Sequence, residues 1–228
     1  MKSKNLFDPL IITVVMLFVC TGCKKEENKP ENIVSDVEGN DYFTVVIGEQ
    51  VWMAENLRTT KYSNGNIILN VSDNTQWSNL SDGALSNYEN NDTYVRTYGG
   101  LYNWYVVNNV HKICPTGWHV PSDADWTELI TFLGGENIAG GKLKETGETH
   151  WFGNISTNND YGFSALPGGF RGENGFFGNM GDVGFWWSSS EVDSESAGYK
   201  SMVSWSDGIY SGTNSKKYGK SVRCIKDL

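Results

Sequence analysis

The stretch PSDADWTELITFLGG, residues 121–135, carries the strongest helical pattern in the chain. Ser122 is suited to cap the amino end, with Asp125 at the third helical position, and Gly134 can adopt the left-handed conformation that ends a helix. Four large apolar residues recur at helical spacing and would form one buried face: Trp126, Leu129, Ile130 and Leu133. We therefore predict one amphipathic helix that packs against a larger core.

Outside this helix, the sequence contains short strand-forming segments separated by turns. The segments YFTVVIGEQVWM (residues 42–53) and SMVSWSDGIYSG (residues 201–212) place a Gly-Glu and an Asp-Gly pair between β-forming arms, which predicts two hairpins. The closing segment, residues 221–228, alternates like a strand and is expected in the same sheet as the second hairpin. These patterns predict an α+β, loop-rich single domain with short antiparallel strands and few helices.

The amino-terminal residues 1–22 have the pattern of a secretory signal peptide. Lys2 and Lys4 precede an apolar run over residues 10–20, and this run is too short to span a membrane. Cys23 follows a Thr-Gly pair, as in a bacterial lipoprotein box. We expect acyl chains on this thiol to tether the protein to the lipid bilayer. Ordinary secretion with a leftover thiol is the alternative.

Residues 23–40 are charged, poor in large apolar residues and interrupted by Pro30. Such a segment cannot bury enough surface to fold, so we predict that it is a flexible linker before a domain over residues 41–228. Its first charged residues, KKEE, resemble the export signal that carries Bacteroidota lipoproteins to the outer face of the outer membrane. The expected location is therefore the outer membrane or cell surface.

The charge of the chain argues against one class of partner. The formal net charge is −9 at pH 7. A chain this acidic lacks the basic patch that nucleic-acid binding requires. We therefore expect no nucleic-acid partner.

Two cysteines, Cys114 and Cys224, lie in the predicted domain. Export would place them in an oxidising compartment, where disulfides form and persist. We predict that they pair, and two buried free thiols are the alternative because spacing does not show that the two meet.

Seven motifs occur in an order that resembles the Fibrobacter succinogenes major paralogous domain family. They are IGEQVWMAENLRTTKYSNG, YGGLYNWY, CPTGWHVPSDADWTEL, GGKLKETG, GFSALPGGFRGENGFF, WWSSSE and SVRCIKD. The resemblance implies a bacterial surface protein, since most members are secreted or lipid-anchored and have no established activity. HVPSDADW and SVRC also resemble the formylglycine-generating, or sulfatase-modifying, enzymes. This weaker resemblance implies a C-type-lectin-like fold, and a fold does not define a function.

The residues argue against an enzyme. Formylglycine-generating enzymes use a pair of active-site cysteines that bind copper, whereas here one cysteine precedes the helix and the other lies in the last segment. The sequence contains no GxSxG motif and no metal-ligand spacing of its histidines. A glycan-active enzyme remains an alternative, because Glu145 with Glu148, or Glu173 with Asp182, could supply two carboxylates.

A metal or other cofactor is not predicted. Asp123 and Asp125 form a DxD pair that invites a calcium site, but the pair lacks the number of ligands that calcium needs. Both residues instead suit the positive end of the helix dipole. The EPN signature of calcium-dependent lectins is missing, so calcium-mediated sugar binding is not expected.

We predict a non-catalytic domain that binds an extracellular ligand, with glycan ahead of a surface protein, and a purely structural module as a further alternative. Aromatic faces stack on sugar rings while polar side chains bond the hydroxyls, and two glycine-rich loop segments offer both. The candidates are Arg171, Glu173, Phe176, Phe177, Asn179, Asp182, Trp205, Asp207, Tyr210 and Asn214. At least two of the four aromatic candidates are expected to be exposed.

Overall fold

A computed structural model describes Met1, residues 32–153 and residues 157–228. The predicted signal peptide and the predicted lipidation site, Cys23, lie outside the described residues, as does the first part of the predicted linker. Among the helices in the described ranges, none has both the length and the apolar character that a membrane crossing requires.

The described residues form thirteen strands, five short α-helices and two single-turn 3-10 helices. The strands are β1 (Ile33–Ser35), β2 (Asp41–Ile47), β3 (Gln50–Met53), β4 (Leu69–Asn70), β5 (Ala84–Ser86), β6 (Leu101–Tyr102), β7 (Trp118–His119), β8 (Gly168–Arg171), β9 (Phe177–Met180), β10 (Val183–Glu191), β11 (Ser196–Val203), β12 (Ile209–Ser215) and β13 (Ile225–Lys226). The α-helices are α1 (Asn74–Ser78), α2 (Val95–Tyr98), α3 (Trp104–Val107), α4 (Asp123–Phe132) and α5 (Glu136–Leu143), and the 3-10 turns are Tyr88–Asn90 and Asp92–Tyr94.

The strands form three sheets. The first has the order β1-β2-β3-β13-β7, the second β12-β11-β10-β8-β9 and the third β4-β5-β6. Most neighbouring strands are antiparallel, and the pairs β8 with β10 and β4 with β5 are parallel. The predicted domain of short antiparallel strands with few helices is therefore confirmed at this level.

The first predicted hairpin is confirmed. β2 and β3 pair with Ile47 opposite Gln50, so Gly48 and Glu49 form the two-residue turn. Gly48 has a φ of 63°, the left-handed conformation that such turns require and that glycine adopts without strain.

The folded part of the chain begins before the predicted boundary at residue 41. β1 pairs with β2 and lies in the segment that was predicted to be linker. The Asp36 carboxylate orders the connection, since it accepts hydrogen bonds of 2.9 Å from the backbone N–H groups of Glu38 and Asn40 and one of 2.7 Å from the Tyr42 hydroxyl. Asp36 thus caps a turn that local composition did not reveal.

The predicted helix is confirmed as α4. Ser122 and Asp125 form a reciprocal capping box, and the following Gly134 has a φ of 99°. The four residues of the predicted apolar face are buried. The helix therefore ends and packs as local sequence indicates.

A second helix, α5, was not predicted. Its Gly140 lies against the loop between β11 and β12, because a Cβ atom at this position would be 2.3 Å from the Gly208 carbonyl oxygen. The glycine-rich sequence thus allows close packing of the helix against the loop. Such a helix does not need strong apolar periodicity, so a search for that periodicity does not reveal it.

The second predicted hairpin, β11 with β12, is present with a longer connection than the Asp-Gly pair. Residues 204–208 are held against α5 and the segment that follows it. The Asp207 carbonyl accepts a hydrogen bond of 2.9 Å from Gly141 N–H, and the Lys144 ammonium donates one of 2.8 Å to the Ser206 carbonyl. These tertiary contacts explain the wider loop.

The expectation that the last strand joins the sheet of the second hairpin is wrong. β13 lies in the first sheet, where Ile225 pairs with Trp52 of β3 and with His119 of β7. The Cys114–Cys224 disulfide, with a Cα separation of 6.0 Å, joins the segment before β7 to the residue before β13. The predicted disulfide is therefore confirmed, and it holds the last strand in this sheet.

Two large apolar clusters form the core between these elements. The first contains Cys114, Cys224 and Trp187, and the second contains the apolar face of α4. Six tryptophans are buried among these elements, namely Trp52, Trp104, Trp118, Trp126, Trp186 and Trp187. Glu31–Leu228 forms one compact unit that contains both clusters and the disulfide, and we expect this unit to fold without the preceding residues.

Candidate ligand-binding site

Five aromatic side chains lie together on one face of the second sheet. We call them the aromatic platform: Phe170, Phe176, Phe185, Tyr199 and Tyr218. Centroid distances are 5.9 Å for Phe170 to Phe176, 5.5 Å for Phe170 to Phe185, 5.7 Å for Phe170 to Tyr218 and 5.6 Å for Phe185 to Tyr199. Phe176 is 53% exposed and the other four side chains are half-buried. The rings therefore form a continuous surface that solvent reaches.

Strand register brings three of these rings together. The pairing of Gly169 with Gly184 places Phe170 of β8 beside Phe185 of β10. Tyr199 of β11 pairs with Trp187, which lies two residues along β10 from Phe185, so Tyr199 shares the face of Phe185. Side chains on paired residues share a sheet face, which gives one row of rings across three strands.

Glycines on the outer strands leave room for this row. Gly178 pairs with Phe170, and a Cβ atom at this position would be 3.2 Å from the Phe170 ring. Gly212 pairs with Tyr199, and a Cβ atom there would be 2.5 Å from the Tyr199 hydroxyl. Each ring thus lies over backbone where a larger residue would displace it.

Lys220 lies beneath the platform with 1% of its surface exposed. Five ring centres lie between 4.2 and 5.9 Å from its Nζ atom, those of Tyr199, Phe185, Tyr218, Trp187 and Phe170. The ammonium also donates a hydrogen bond of 2.7 Å to Asn214 Oδ1. Burial lowers the pKa of Lys220 well below its ordinary value. Cation–π contacts thus link Lys220 to four platform rings, those of Phe170, Phe185, Tyr199 and Tyr218, and to the buried Trp187.

Several predicted candidates lie at or near the platform. Phe176 belongs to it, and Asn214 accepts the hydrogen bond from Lys220. Tyr210 is 46% exposed and pairs with Ser201, two residues along β11 from Tyr199. Trp205 is 69% exposed in the preceding loop. The expected exposure of at least two aromatic candidates is therefore confirmed.

Arg171 lies away from the platform and is fully buried. Its guanidinium donates to four acceptors within the protein, the Val71 carbonyl, the Ser72 carbonyl at 3.0 Å, Asn74 Oδ1 at 3.0 Å and the Gly175 carbonyl at 3.1 Å. It also stacks on Trp77 at 4.3 Å and on Phe177 at 5.0 Å. Burial lowers the pKa of Arg171 to about 10. Through these contacts, the Arg171 guanidinium joins β8 to α1.

The remaining candidates are spread over different surfaces. Glu173 is exposed in the turn before Phe176, and Asn179 is exposed with a φ of 65° near the end of β9. Asp182 and Asp207 are half-buried in loops. The structure therefore gathers only part of the predicted set.

A second aromatic row, which was not predicted, starts at Phe177. The centroid distances between successive rings are 5.4 Å from Phe177 to Tyr88, 6.0 Å from Tyr88 to Tyr94, 6.2 Å from Tyr94 to Tyr98 and 5.6 Å from Tyr98 to His150. His150 Nδ1 lies 2.6 Å from a carboxylate oxygen of Glu145, one of the carboxylates weighed for a glycosidase. Burial raises the pKa of Tyr88 and Tyr98.

The aspartates of the DxD pair are engaged within the fold. Asp123 forms an ion pair of 3.1 Å with Lys200. Burial alone would raise the pKa of Asp125, but hydrogen bonds from Ser122 and the nearby His119 hold it below its ordinary value. In residues 32–153 and 157–228, no group of three or more His, Cys, Asp or Glu side chains could hold a metal ion.

Charge is divided between the interior and the surface. Among the described residues, the buried cations outnumber the buried acids. The cations are Lys144, Arg171, Lys200, Lys216, Lys220 and Arg223, and the acid is Asp36. Since the chain is acidic overall, its solvent-facing surface carries the excess negative charge.

Four of the five platform rings and Lys220 were missed by the sequence analysis. Phe185 and Tyr199 occur in the strands VGFWWSSSE and SAGYKSMV, which do not alternate regularly between apolar and polar residues, so a two-residue period did not reveal their shared face. The parallel pairing of β8 with β10 has no local signal, so the contribution of Phe170 could not be found in this way.

The fold and the site define a β-rich, disulfide-bridged domain with a partly exposed aromatic sheet face. The model of the Fibrobacter succinogenes major domain family matches residues 45–226, so the chain belongs to this family. No curated protein and no solved structure matches the chain.

Proposed function

We propose that the chain is a non-catalytic, lipid-anchored surface protein that binds an uncharged extracellular glycan on the aromatic platform. The observation that carries this proposal is the set of five contacting rings on one sheet face, with neighbouring centroids 5.5 to 5.9 Å apart. Each ring offers a flat apolar surface on which the C–H face of a sugar can stack.

The underlying structure supports binding by a pre-formed surface. Strand pairing, the adjacent glycines and the Lys220 ammonium hold the rings before a ligand arrives. A ligand then loses less free energy to the ordering of side chains. Glu173 and Asn174 are exposed beside Phe176 and offer polar groups to sugar hydroxyls.

The charge distribution supports an uncharged glycan. The acidic surface would repel a polysaccharide that carries carboxylates or sulfates. Lys220 is enclosed beneath the rings and does not present its charge to a ligand. Stacking and hydrogen bonding remain as the means of recognition.

The anchor and the fold type are further parts of the proposal. Cys23 would carry the acyl chains and hold the domain at the outer membrane or cell surface. The arrangement is proposed to be C-type-lectin-like, and the pairing of β13 with β3, which brings the two ends of the domain into one sheet, supports this proposal.

A matched pair of variants tests the proposal in the unit from residue 31 to residue 228. Phe176 and Phe43 are 53% and 55% exposed, and only Phe176 belongs to the platform. Phe176→Ala should lose retention on insoluble neutral polysaccharides, whereas Phe43→Ala should bind like the parent. Equal retention of both variants, or no binding by the parent to any neutral glycan, would refute the proposal. Turnover of model glycosides would instead favour an enzyme.

A further inference from the structure

A groove lies between the β2–β3 turn and the outer face of α4. Its volume is about 1060 Å³. We call it the hairpin–helix groove, and its principal lining residues are Val46, Glu49, Ala124, Thr127, Glu128 and Phe132. None of its lining residues belongs to the aromatic platform, so the two surfaces can be occupied independently.

The wall of the groove is more apolar than its threonine residues suggest. Val46 is 66% exposed and Phe132 is 51% exposed. The hydroxyl of Thr127 donates a hydrogen bond of 2.7 Å to the Asp123 carbonyl, and that of Thr131 donates one of 2.7 Å to the Thr127 carbonyl. Because these hydroxyls bond to the helix, the methyl groups remain available for apolar contact. Val46, Phe132 and the threonine methyl groups therefore offer apolar contact area to a partner within one groove.

The wall of the groove is held in place by close packing. A Cβ atom at Gly48 would lie 3.0 Å from the Phe132 ring, so the ring rests directly on the turn. Phe132 also contacts Tyr161, with ring centroids 5.7 Å apart. The groove thus exists before a partner binds, which reduces the cost of association.

Two carboxylates give the groove its charge. Glu49 and Glu128 are exposed, and no ion pair links either of them to a cation in the described part of the chain. Asp123 is already paired with Lys200. No basic residue lines the groove.

The acidic character continues beyond the groove. A smaller cavity of about 250 Å³ shares Gln50 and Glu128 with it and adds Asp125 and Asp227. Its basic lining residues are Lys226 and His119, and the His119 ring lies 3.5 Å from the Asp125 carboxylate and 2.7 Å from that of Asp227. The carboxylates therefore extend past the groove along one side of α4 toward the carboxyl end of the chain.

We propose that the hairpin–helix groove binds a polypeptide segment in which apolar side chains alternate with lysine or arginine. The apolar side chains would contact Val46, Phe132 and the threonine methyl groups. The basic side chains would pair with Glu49 and Glu128, and this charge complementarity favours such a segment over an acidic or uncharged one. The groove is thus a docking surface for a second protein beside the proposed glycan site.

Three synthetic peptides of equal length test the proposal by titration against the unit from residue 31 to residue 228. One alternates leucine with lysine, one leucine with glutamate and one serine with lysine. We expect saturable binding of the leucine–lysine peptide, at least tenfold weaker binding of the other two, and loss of affinity as salt is raised.

Variants then locate the binding. Glu49→Gln/Glu128→Gln should weaken binding of the leucine–lysine peptide at least tenfold. The matched change Glu89→Gln/Glu195→Gln, at exposed positions outside the groove, should leave that binding unchanged. Ala124→Trp should block the groove without disturbing the core, since Ala124 is exposed on α4. Absent binding, equal binding of the three peptides, or equal effects of the two double variants would overturn the proposal.

Discussion

Replacement of Arg171 by methionine tests the structural role of this residue. Methionine keeps an unbranched apolar side chain between Trp77 and Phe177 but removes every donor. Two of the four acceptors, the carbonyls of Val71 and Gly175, take part in buried hydrogen bonds and would be left without this donor. The other two are partly buried, so water can replace the guanidinium there.

The expected loss of stability follows from these contacts. Each buried unpaired acceptor costs about 1 to 3 kcal/mol, which gives about 2 to 6 kcal/mol for two. Removal of a buried charge offsets part of this cost. We therefore expect Arg171→Met to lower the free energy of unfolding by about 2 to 4 kcal/mol.

Urea unfolding of the unit from residue 31 to residue 228, followed by tryptophan fluorescence, measures this loss. Arg96→Met is the matched control, because Arg96 is exposed and its replacement should change stability by no more than about 0.5 kcal/mol. If Arg171→Met unfolds like Arg96→Met and loses glycan retention, Arg171 binds ligand and the structural argument is wrong.

Three further predictions concern the disulfide, the buried lysine and the anchor. Cys114→Ala/Cys224→Ala removes the disulfide between residues that lie 110 positions apart, and it should lower the free energy of unfolding by up to about 5 kcal/mol. A urea midpoint within error of that of the parent would contradict this prediction. Burial lowers the pKa of Lys220, so between its folded-state pKa and about pH 10.4 the unfolded chain binds more protons at this group than the folded chain does. The free energy of unfolding of the parent should therefore gain a contribution from Lys220 as pH rises through that window. Lys220→Met should lack this contribution, and parallel stability–pH curves for the two proteins would refute the assignment. Cys23→Ala should remove palmitate labelling and membrane fractionation in cells, and an unlabelled parent or a variant that stays with membranes would refute the anchor.

Features set by local sequence were predicted well. The α4 helix has its cap, apolar face and stop signal within fifteen consecutive residues. The β2–β3 hairpin likewise carries its turn in two residues. In both cases, the interactions that define the element join residues close in sequence, so the pattern contains the necessary information.

Features set by distant pairing were not predicted. β13 has two residues, and its sheet is decided by contacts with β3 and β7 far along the chain. Arg171 occurs in a glycine-rich segment that is typical of an exposed loop, yet its acceptors include Val71, 100 residues away. The platform depends on the same kind of information, because strand register joins rings from separate segments.

The most direct test of the central proposal is an NMR titration that follows the ring signals of phenylalanine and tyrosine. A soluble neutral oligosaccharide that binds the unit from residue 31 to residue 228 should shift the ring signals of Phe170, Phe176, Phe185, Tyr199 and Tyr218. The signals of Phe43 and Phe132, which lie outside the platform, should stay in place. Saturable binding that shifts other rings and leaves all five platform rings unchanged would contradict the account.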